Sequence, residues 1–293
     1  MRKIVFSTIM IVFISAMVSA DPWKLNLNAN LSTSLNTYSD NWIGGEAGSF
    51  TWGSQFLGIA ERKLSEKINT KTTLKLQFGQ TEAQNKETKN WSVPQKSTDL
   101  IDGEELLRFI TGKWADPFIS ARAISQFVDG SDSLKKRYVN PVEITEAIGM
   151  SRSLKKNELI DWSTRLGGAA RQYIDRHKLD AATQTRSNNV TDDGGVEMDM
   201  NLNAMNKAKS ISLLSDLRVY EALVSSKADE AKGTDSSDYW RYPHVKWENT
   251  LTLTLAKYLM LNVSAYAYYD KNIKDDARLK ETLAAGFTYT FTK

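Results

Sequence analysis

The sequence predicts an all-β fold, a transmembrane antiparallel up-and-down β-barrel of about 12 strands. Three observations indicate it. Apolar and polar residues alternate along many segments, these segments are longer than the strands of most soluble proteins, and the connections between them alternate between short and long. Together these features are typical of barrels that cross a bacterial outer membrane.

The alternation is clearest near the two ends of the chain. Between Trp23 and Ser32 every odd position is apolar, and every even position is Lys, Asn or Ser. Between Thr282 and Phe291 the odd positions are again apolar, while the even positions hold Thr, Ala and Gly. Because successive side chains on a strand point to opposite faces, each segment has one apolar face and one more polar face. A helix would need apolar residues at a spacing near 3.6 instead.

Twelve segments carry this pattern and are the predicted strands. Most are about 10–13 residues long, which exceeds the soluble mean of about 5–6 and suits a tilted strand that spans a bilayer. The predicted strands are 23–36, 49–60, 68–80, 105–114, 118–128, 141–151, 159–171, 196–206, 210–221, 245–255, 259–269 and 281–291.

The predicted connections alternate in length. The short ones are 61–67, 115–117, 152–158, 206–209 and 256–258, and the long ones are 37–48, 81–104, 129–140, 172–195, 222–244 and 270–280. Outer-membrane barrels have short periplasmic turns and long extracellular loops. We therefore expect the long connections outside the cell and the C-terminus in the periplasm.

Residues 1–20 have the pattern of a secretory signal peptide. Arg2 and Lys3 precede the apolar stretch 4–18, and Val18-Ser19-Ala20 offers a small-residue cleavage site. The alternative is a retained N-terminal anchor helix. We predict a signal peptide at 1–20, a single barrel domain at 21–293, and a location in the cell outer membrane.

The composition excludes several kinds of chemistry. The 293 residues contain no Cys, so disulfides, thiolate metal sites and a cysteine nucleophile are absent. Two His offer little for imidazole catalysis, and a net charge of +3 gives no strong attraction to nucleic acid. Phosphate-binding, dinucleotide-binding, metalloprotease and nucleophile-elbow motifs do not occur. We expect no enzyme activity, no cofactor, no bound metal and no nucleic-acid partner.

Aromatic residues on the apolar parity gather near the predicted strand ends. Such residues form girdles at the two interfaces of a membrane barrel. The alternative is that they are core aromatics of a soluble sandwich. The predicted girdle consists of Trp23, Trp162, Tyr289 and Phe291 at periplasmic ends, and of Trp52, Trp247 and Tyr269 at outer ends.

The opposite parity carries charges of both signs and is predicted to face the lumen. Such charges line an aqueous pore and set its ion preference, or they pair across the lumen and plug it; the sequence leaves both alternatives open. The candidates are Lys71, Lys75, Arg122, Glu143, Asp161, Arg165, Arg171, Glu197, Asp199, Asp216, Arg218, Lys246 and Glu248.

The last strand ends in Gly286-Phe287-Thr288-Tyr289-Thr290-Phe291. This pattern resembles the C-terminal assembly signal of outer-membrane barrels, which implies the barrel-assembly machinery and membrane lipid as partners. Two further motifs, Asn41-Trp42-Ile43-Gly44-Gly45-Glu46 and Tyr269-Asp270-Lys271-Asn272-Ile273, resemble an outer-membrane barrel family known only as a domain of unknown function. That resemblance implies a barrel and supplies no catalytic residues.

The leading functional prediction is a porin-like passive channel for small hydrophilic solutes. The alternative is a structural or surface-interaction barrel with a plugged lumen and functional outer loops. A surface hydrolase would need a Ser and a His paired on the outer wall, and His177 and His244 are predicted in loops instead. Acidic residues predicted in loops (Asp99, Asp102, Glu104 and Glu105, and Asp192 with Asp193) are interpreted as solvated, with Ca²⁺ binding as the alternative.

Overall fold

The computed structural model describes residues 22–39, 47–132, 134–180, 183–230, 233 and 237–292. The predicted signal peptide and the motif at 41–46 lie outside these residues. Within them, twelve strands form one closed barrel in which each strand pairs antiparallel with its neighbours along the chain, and the first strand pairs with the last. The predicted antiparallel up-and-down barrel is thereby confirmed.

The barrel strands have the following bounds: β1 (Lys24–Asn36), β2 (Ser49–Ser65), β3 (Ile68–Ala83), β4 (Gln95–Phe109), β5 (Asp116–Ser125), β8 (Val142–Lys156), β9 (Ile160–Leu179), β10 (Arg186–Met205), β11 (Ile211–Ser225), β12 (His244–Thr254), β13 (Leu259–Asp270) and β14 (Lys274–Thr292). A small hairpin of β6 (Val128–Asp129) and β7 (Arg137–Tyr138) stands apart from the barrel sheet. A helical turn α1 (Lys227–Glu230) and a 3-10 turn (Tyr239–Arg241) lie between β11 and β12.

The two ends of the barrel differ. One end, here the short-turn end, holds the connections 66–67, 110–115, 157–159, 206–210 and 255–258 together with the start of β1 and the end of β14. The other, the long-loop end, holds 37–48, 84–94, 126–141 and 226–243, and also the tight connections 180–185 and 271–273. No helix in the part of the chain that the structure describes is long and apolar enough to cross a membrane.

Several predicted strand limits were wrong. The predicted loops 81–104, 172–195 and 270–280 are largely strand, because β4, β9, β10 and β14 continue well beyond the apolar segment. In the extension of β10, Asn188 and Asn189 are exposed and adjacent, so both faces are polar. Backbone pairing with β9 continues on both sides of a register shift at Asn188, without the alternation on which the prediction depended.

The strand predicted at 105–114 lies earlier in the chain than predicted. Strand β4 ends at Phe109, and residues 110–115 form the turn to β5. The Asp116 carboxylate holds that turn by accepting a hydrogen bond from the backbone N–H of Thr111 at 2.9 Å. The β6–β7 hairpin and the helical turns before β12 were not predicted either, because their segments show no sustained periodicity.

The apolar side chains point away from the barrel axis. Among the described residues, the buried apolar side chains are few, namely Ala115, Phe118, Ala147, Ala169, Tyr220, Ala222 and Trp240. Large apolar side chains are instead exposed along the outer wall, for example Leu31, Ile148, Leu166, Leu223, Leu283 and Phe287. This is the reverse of a water-soluble protein, in which large contiguous apolar patches are rare on the surface.

Candidate functional site: the charged lumen

The centre of the lumen holds a carboxylate between two guanidinium groups. Arg165, Asp199 and Arg218 are direct neighbours in the register of β9, β10 and β11. The Asp199 carboxylate is 1% exposed and accepts hydrogen bonds from Arg165 Nη2 at 3.0 Å and from Arg218 Nε. Two charge-assisted bonds compensate the removal of this carboxylate from water.

The same network reaches strands further along the wall. Arg165 Nη2 also donates to Glu104 Oε1 at 2.7 Å, although β8 and β5 lie between their strands. On the adjacent pair of strands, Arg122 Nε donates to Asp102 Oδ1 at 2.7 Å. Asp102 and Glu104 of β4 are therefore held by guanidinium groups of β5 and β9 respectively.

One ion pair joins strands on distant parts of the wall. Lys75 Nζ of β3 lies 2.7 Å from Glu248 Oε2 of β12, and four strands separate β3 from β12 along the shorter path around the wall. Tyr268 of β13 donates its hydroxyl hydrogen to Glu248 Oε1 at 2.9 Å. A side chain from each wall thus meets the other inside the lumen, and the passage is crossed by protein atoms at this level.

A second group of polar contacts lies closer to the long-loop end. Arg171 Nη2 donates to Asp193 Oδ2 at 2.9 Å, and its Nη1 lies 3.2 Å from His244 Nδ1. The guanidinium of Arg171 also stacks over the ring of Tyr220, with Cζ 4.1 Å from the ring centroid. Lys246 and Glu143 are 3.9 Å apart, at the limit of an ion pair.

The remaining predicted lumen charges lie toward the short-turn end or make no ion pair within the described residues. Lys71 is 3.9 Å from Glu61 on the neighbouring strand, and Asp161 is 3.4 Å from Lys156. The Lys71–Glu61 side chains are 38% and 28% exposed, and the Lys156–Asp161 side chains are 56% and 44% exposed. Glu197 is opposite Tyr220 in the register, and Asp216 is opposite Glu248.

Sequence reasoning missed several partners of these charges. Asp102 and Glu104 were predicted in a loop, but they lie on β4 and face the lumen. Tyr268 and Tyr220 share the lumen parity of their strands, but the sequence-based list of lumen residues contained only charged side chains and so omitted both. The parity of Tyr268 with Ser264 on β13 was the signal that could have found it.

The loop assignments of the other acidic residues and of both histidines were also wrong. Asp99 and Glu105 lie on β4, Asp192 and Asp193 lie on β10, and His177 lies on β9. His244 begins β12, with its ring 3.3 Å from the Asp270 carboxylate as well as near Arg171. Glu105 accepts a hydrogen bond from Thr72 at 2.5 Å and one from Thr70. Asp192 and Asp193 are likewise engaged by Gln172 and Arg171 of β9, and Asp99 accepts hydrogen bonds from the backbone N–H groups of Phe127 and Val128.

The aromatic residues of the predicted girdle have these positions. Trp23, Trp162, Tyr289 and Phe291 lie near the short-turn end, and all four are exposed. Toward the long-loop end, Trp247 is exposed, whereas Trp52 and Tyr269 are half-buried. Trp52 packs on Phe78 with ring centroids 5.9 Å apart.

Chemically, the described lumen is a set of compensated charges. Guanidinium, ammonium and carboxylate groups satisfy one another at several levels, and the central ones are screened from solvent. Such an arrangement obstructs the path of a hydrated solute unless the pairs separate.

Comparisons with known proteins add the following findings. No family model matches the chain, and no curated protein matches its sequence. Among solved structures, it is similar to an outer membrane channel of Pseudomonas putida F1, at 11% identity over 92% of this chain and 95% of that chain, with a TM-score of 0.41. It is also similar to the translocator domain of the autotransporter NalP of Neisseria meningitidis, at 10% identity over 95% of this chain and 90% of that chain, with a TM-score of 0.36. A third is OprB of Pseudomonas putida, at 10% identity over 94% of each chain, with a TM-score of 0.29.

Proposed function

We propose that this chain is an outer-membrane β-barrel without enzyme activity, exported through a cleaved signal peptide at 1–20 and inserted by the barrel-assembly machinery through β14. The exposed apolar outer wall supports this location, because lipid is the solvent in which such a wall is stable. The closed strand order supports it as well, since a barrel leaves no unpaired edge in hydrocarbon.

A fluorescence experiment tests the location. The protein is reconstituted in vesicles of brominated and of ordinary phosphatidylcholine, and tryptophan emission is compared. Bromine quenches indoles that contact lipid, so Trp162→Phe and Trp247→Phe should each remove a quenched component. Trp240 lies in the 3-10 turn between β11 and β12, is 8% exposed and is the matched control, because Trp240→Phe should remove an unquenched component. A mature chain that stays soluble without detergent and shows no quenching would contradict the proposal.

We infer that the resting lumen is closed to the free diffusion of solutes and that the barrel acts at its long-loop end. The contact between Lys75 and Glu248 carries this inference, because it connects opposite walls at 2.7 Å. The network of Arg165, Asp199 and Glu104 adds a second obstruction. A lumen of about 12 strands lies between filled and open barrels, so its side chains decide the outcome.

Conductance across a planar bilayer tests the closed lumen. The wild-type protein should give no stable steps, and Lys75→Ala combined with Glu248→Ala should give them, because both crossing side chains are then truncated. Lys71→Ala combined with Glu61→Ala is the control: it removes the same two residue types from neighbouring strands, where they do not cross the lumen. Large steady steps from the wild-type protein would overturn the proposal.

A porin-like passive channel is the second candidate. Its supporting observation is that the Lys246 and Lys71 side chains remain 41% and 38% exposed, so both ends of the lumen are hydrated. If wild-type steps are seen, replacing Arg165 or Arg218 by Gln should change their ion selectivity. Unchanged selectivity in both variants would exclude a route past these residues.

A further inference from the structure

A chamber lies in the lumen between the Asp199 network and the long-loop end. Strands β5, β8, β9, β10, β11 and β12 contribute its lining residues, and its volume is about 30 Å³. Lys246 lines it and is 41% exposed, so the chamber is in contact with solvent. It is separate from the crossing of Lys75 and Glu248, neither of which lines it.

Cationic groups outnumber carboxylates on the chamber lining. Arg122, Arg171, Arg218 and Lys246 line it together with Glu143 and Glu197. The carboxylates that hold the three guanidinium groups, those of Asp102, Asp193 and Asp199, are not among the lining residues. The guanidinium groups are thus anchored from behind and turn part of their surface to the chamber.

Two hydrogen-bond donors of the lining lack an acceptor. Among the described residues, neither the Tyr220 hydroxyl nor Arg122 Nη1 has a hydrogen-bond partner, although both atoms are buried. Tyr220 is 4% exposed, and its ring is held between the Arg171 guanidinium and an edge-on His244 ring. A buried donor without an acceptor destabilises a fold, so its retention calls for a reason.

We propose that the chamber binds a small anionic solute through a carboxylate or phosphate group. The oxygens of that group would accept hydrogen bonds from Arg122 Nη1 and from the Tyr220 hydroxyl, and the ammonium of Lys246 would supply a positive charge. Lys246 is available for this role because its side chain is 41% exposed and its ion pair with Glu143, at 3.9 Å, is long. This binding site is a proposal in addition to the closed lumen, because an anion needs access to it only from the long-loop end.

Calorimetric titration of the full-length barrel in detergent tests the site. The probes are inorganic phosphate and succinate, with choline as a cation of similar size. We expect both anions to bind and choline not to bind. Phosphate without succinate, or succinate without phosphate, would identify which anionic group the site accepts. Tighter binding of choline than of either anion would show that Glu143 and Glu197 dominate the chamber and would overturn the proposal.

Two variants and one matched control locate the binding. Tyr220→Phe removes only the unpartnered hydroxyl, and Lys246→Met removes a charge from a solvent-exposed side chain without altering the wall. Each should weaken anion binding about tenfold, as expected for the loss of a hydrogen bond to a charged group. Tyr268→Phe removes a hydroxyl that already donates to Glu248, outside the chamber, and should leave the affinity unchanged. Equal affinities in all three variants, or no anion binding to the wild-type protein, would overturn the site, whatever the conductance experiment shows.

Discussion

The ammonium of Lys75 lies 2.7 Å from the carboxylate of Glu248, although four strands separate their positions on the barrel wall. Each residue by itself is a charge on the inner face of a strand. Together they join opposite sides of the lumen. The Tyr268 hydroxyl, 2.9 Å from the other Glu248 oxygen, fixes the orientation of that carboxylate.

A charge exchange tests whether this contact keeps the lumen closed. Lys75→Glu and Glu248→Lys each place like charges together, and each should open the lumen because the two side chains repel one another. The double variant Lys75→Glu/Glu248→Lys restores opposite charges and should conduct as little as the wild-type protein. Planar-bilayer conductance is the measurement.

The control for the exchange uses the same residue types at another place. Glu61→Lys combined with Lys71→Glu exchanges charges that are 3.9 Å apart on the neighbouring strands β2 and β3. Neither this exchange nor its single variants should change conductance. If the exchanged Lys75 and Glu248 variant conducts as much as its two single variants, the pair is not the element that closes the lumen.

Asp199 should be the most sensitive carboxylate of the central network. Asp199→Asn removes the negative charge between Arg165 and Arg218, so both guanidinium groups lose the carboxylate to which they donate. Breaking a buried pair in this way costs about 3–5 kcal/mol. The free energy of unfolding in urea, measured in lipid vesicles, should fall by that amount.

The same substitution at Asp161 is the matched control. Asp161 lies on β9, and its ion pair with Lys156 joins two side chains that are 44% and 56% exposed. An exposed pair is worth about 0–1 kcal/mol, so Asp161→Asn should change the free energy of unfolding little. Equal effects of the two variants would show that the central carboxylate is hydrated rather than screened.

The sequence was sufficient to predict which residues face the lumen, but not which of them meet across it. Arg165, Asp199 and Arg218 were predicted on the lumen face because parity on a strand is a local property. That Arg165 also reaches Glu104, two strands beyond its neighbour, depends on side-chain length and barrel shape. Neither is encoded in a segment of ten residues.

Strand β4 shows where the alternation itself failed. Glu105 lies on the opposite face from Asp102 and Glu104, and Thr70 and Thr72 satisfy its carboxylate. A polar residue on each face removed the period-two signal, so residues up to 104 were predicted as a loop and the strand was predicted to begin only at Glu105. The tertiary partner on β3 therefore decided the structure, and it is not visible in the local pattern.

The connection 126–141 should loosen in acid. Arg137 Nη2 lies 2.6 Å from Asp129 Oδ2, and Asn140 Nδ2 donates to the same oxygen at 3.0 Å. Burial would raise the pKa of Asp129, but hydrogen bonds from Ser131 and Asn140 and the Arg137 charge outweigh it, so the pKa lies below the ordinary 3.8. The hydrogen bond from Arg186 likewise lowers the pKa of Asp132.

The sign of the pH dependence follows from these two carboxyl groups. A folded-state pKa below the unfolded value stabilises the connection above about pH 4, and this stabilisation is lost as the pH falls through the folded-state pKa. Hydrogen exchange of 126–141, corrected for intrinsic rates, should therefore be constant from pH 7 to pH 5 and should rise below about pH 4. Arg186→Gln should already raise exchange at pH 7. Protection that persists unchanged at pH 2 would contradict this origin.

Gly286 should control the closure of the barrel between β1 and β14. A Cβ added at Gly286 would lie 2.4 Å from the backbone oxygen of Leu31 on β1, closer than real Cβ atoms approach. Gly286→Ala must therefore displace backbone at the seam, with an expected loss of about 1–3 kcal/mol in the free energy of unfolding. Gly103→Ala is the matched control, because the nearest atom to its added Cβ is a Leu74 methyl group at 3.9 Å.

The seam also explains why this glycine matters beyond its own contacts. Asn30 Nδ2 donates to Thr288 Oγ1 at 2.8 Å two residues further along, and Leu31 is opposite Phe287 in the register. A displaced backbone at Gly286 therefore disturbs the pairing that closes the wall.

Folded barrels resist detergent at room temperature and migrate faster than the boiled chain on a gel. Gly286→Ala should lower the temperature at which the fast form disappears, whereas Gly103→Ala should leave it unchanged. If the fast form disappeared at the same temperature in both variants, the seam would not be the weakest contact of the wall.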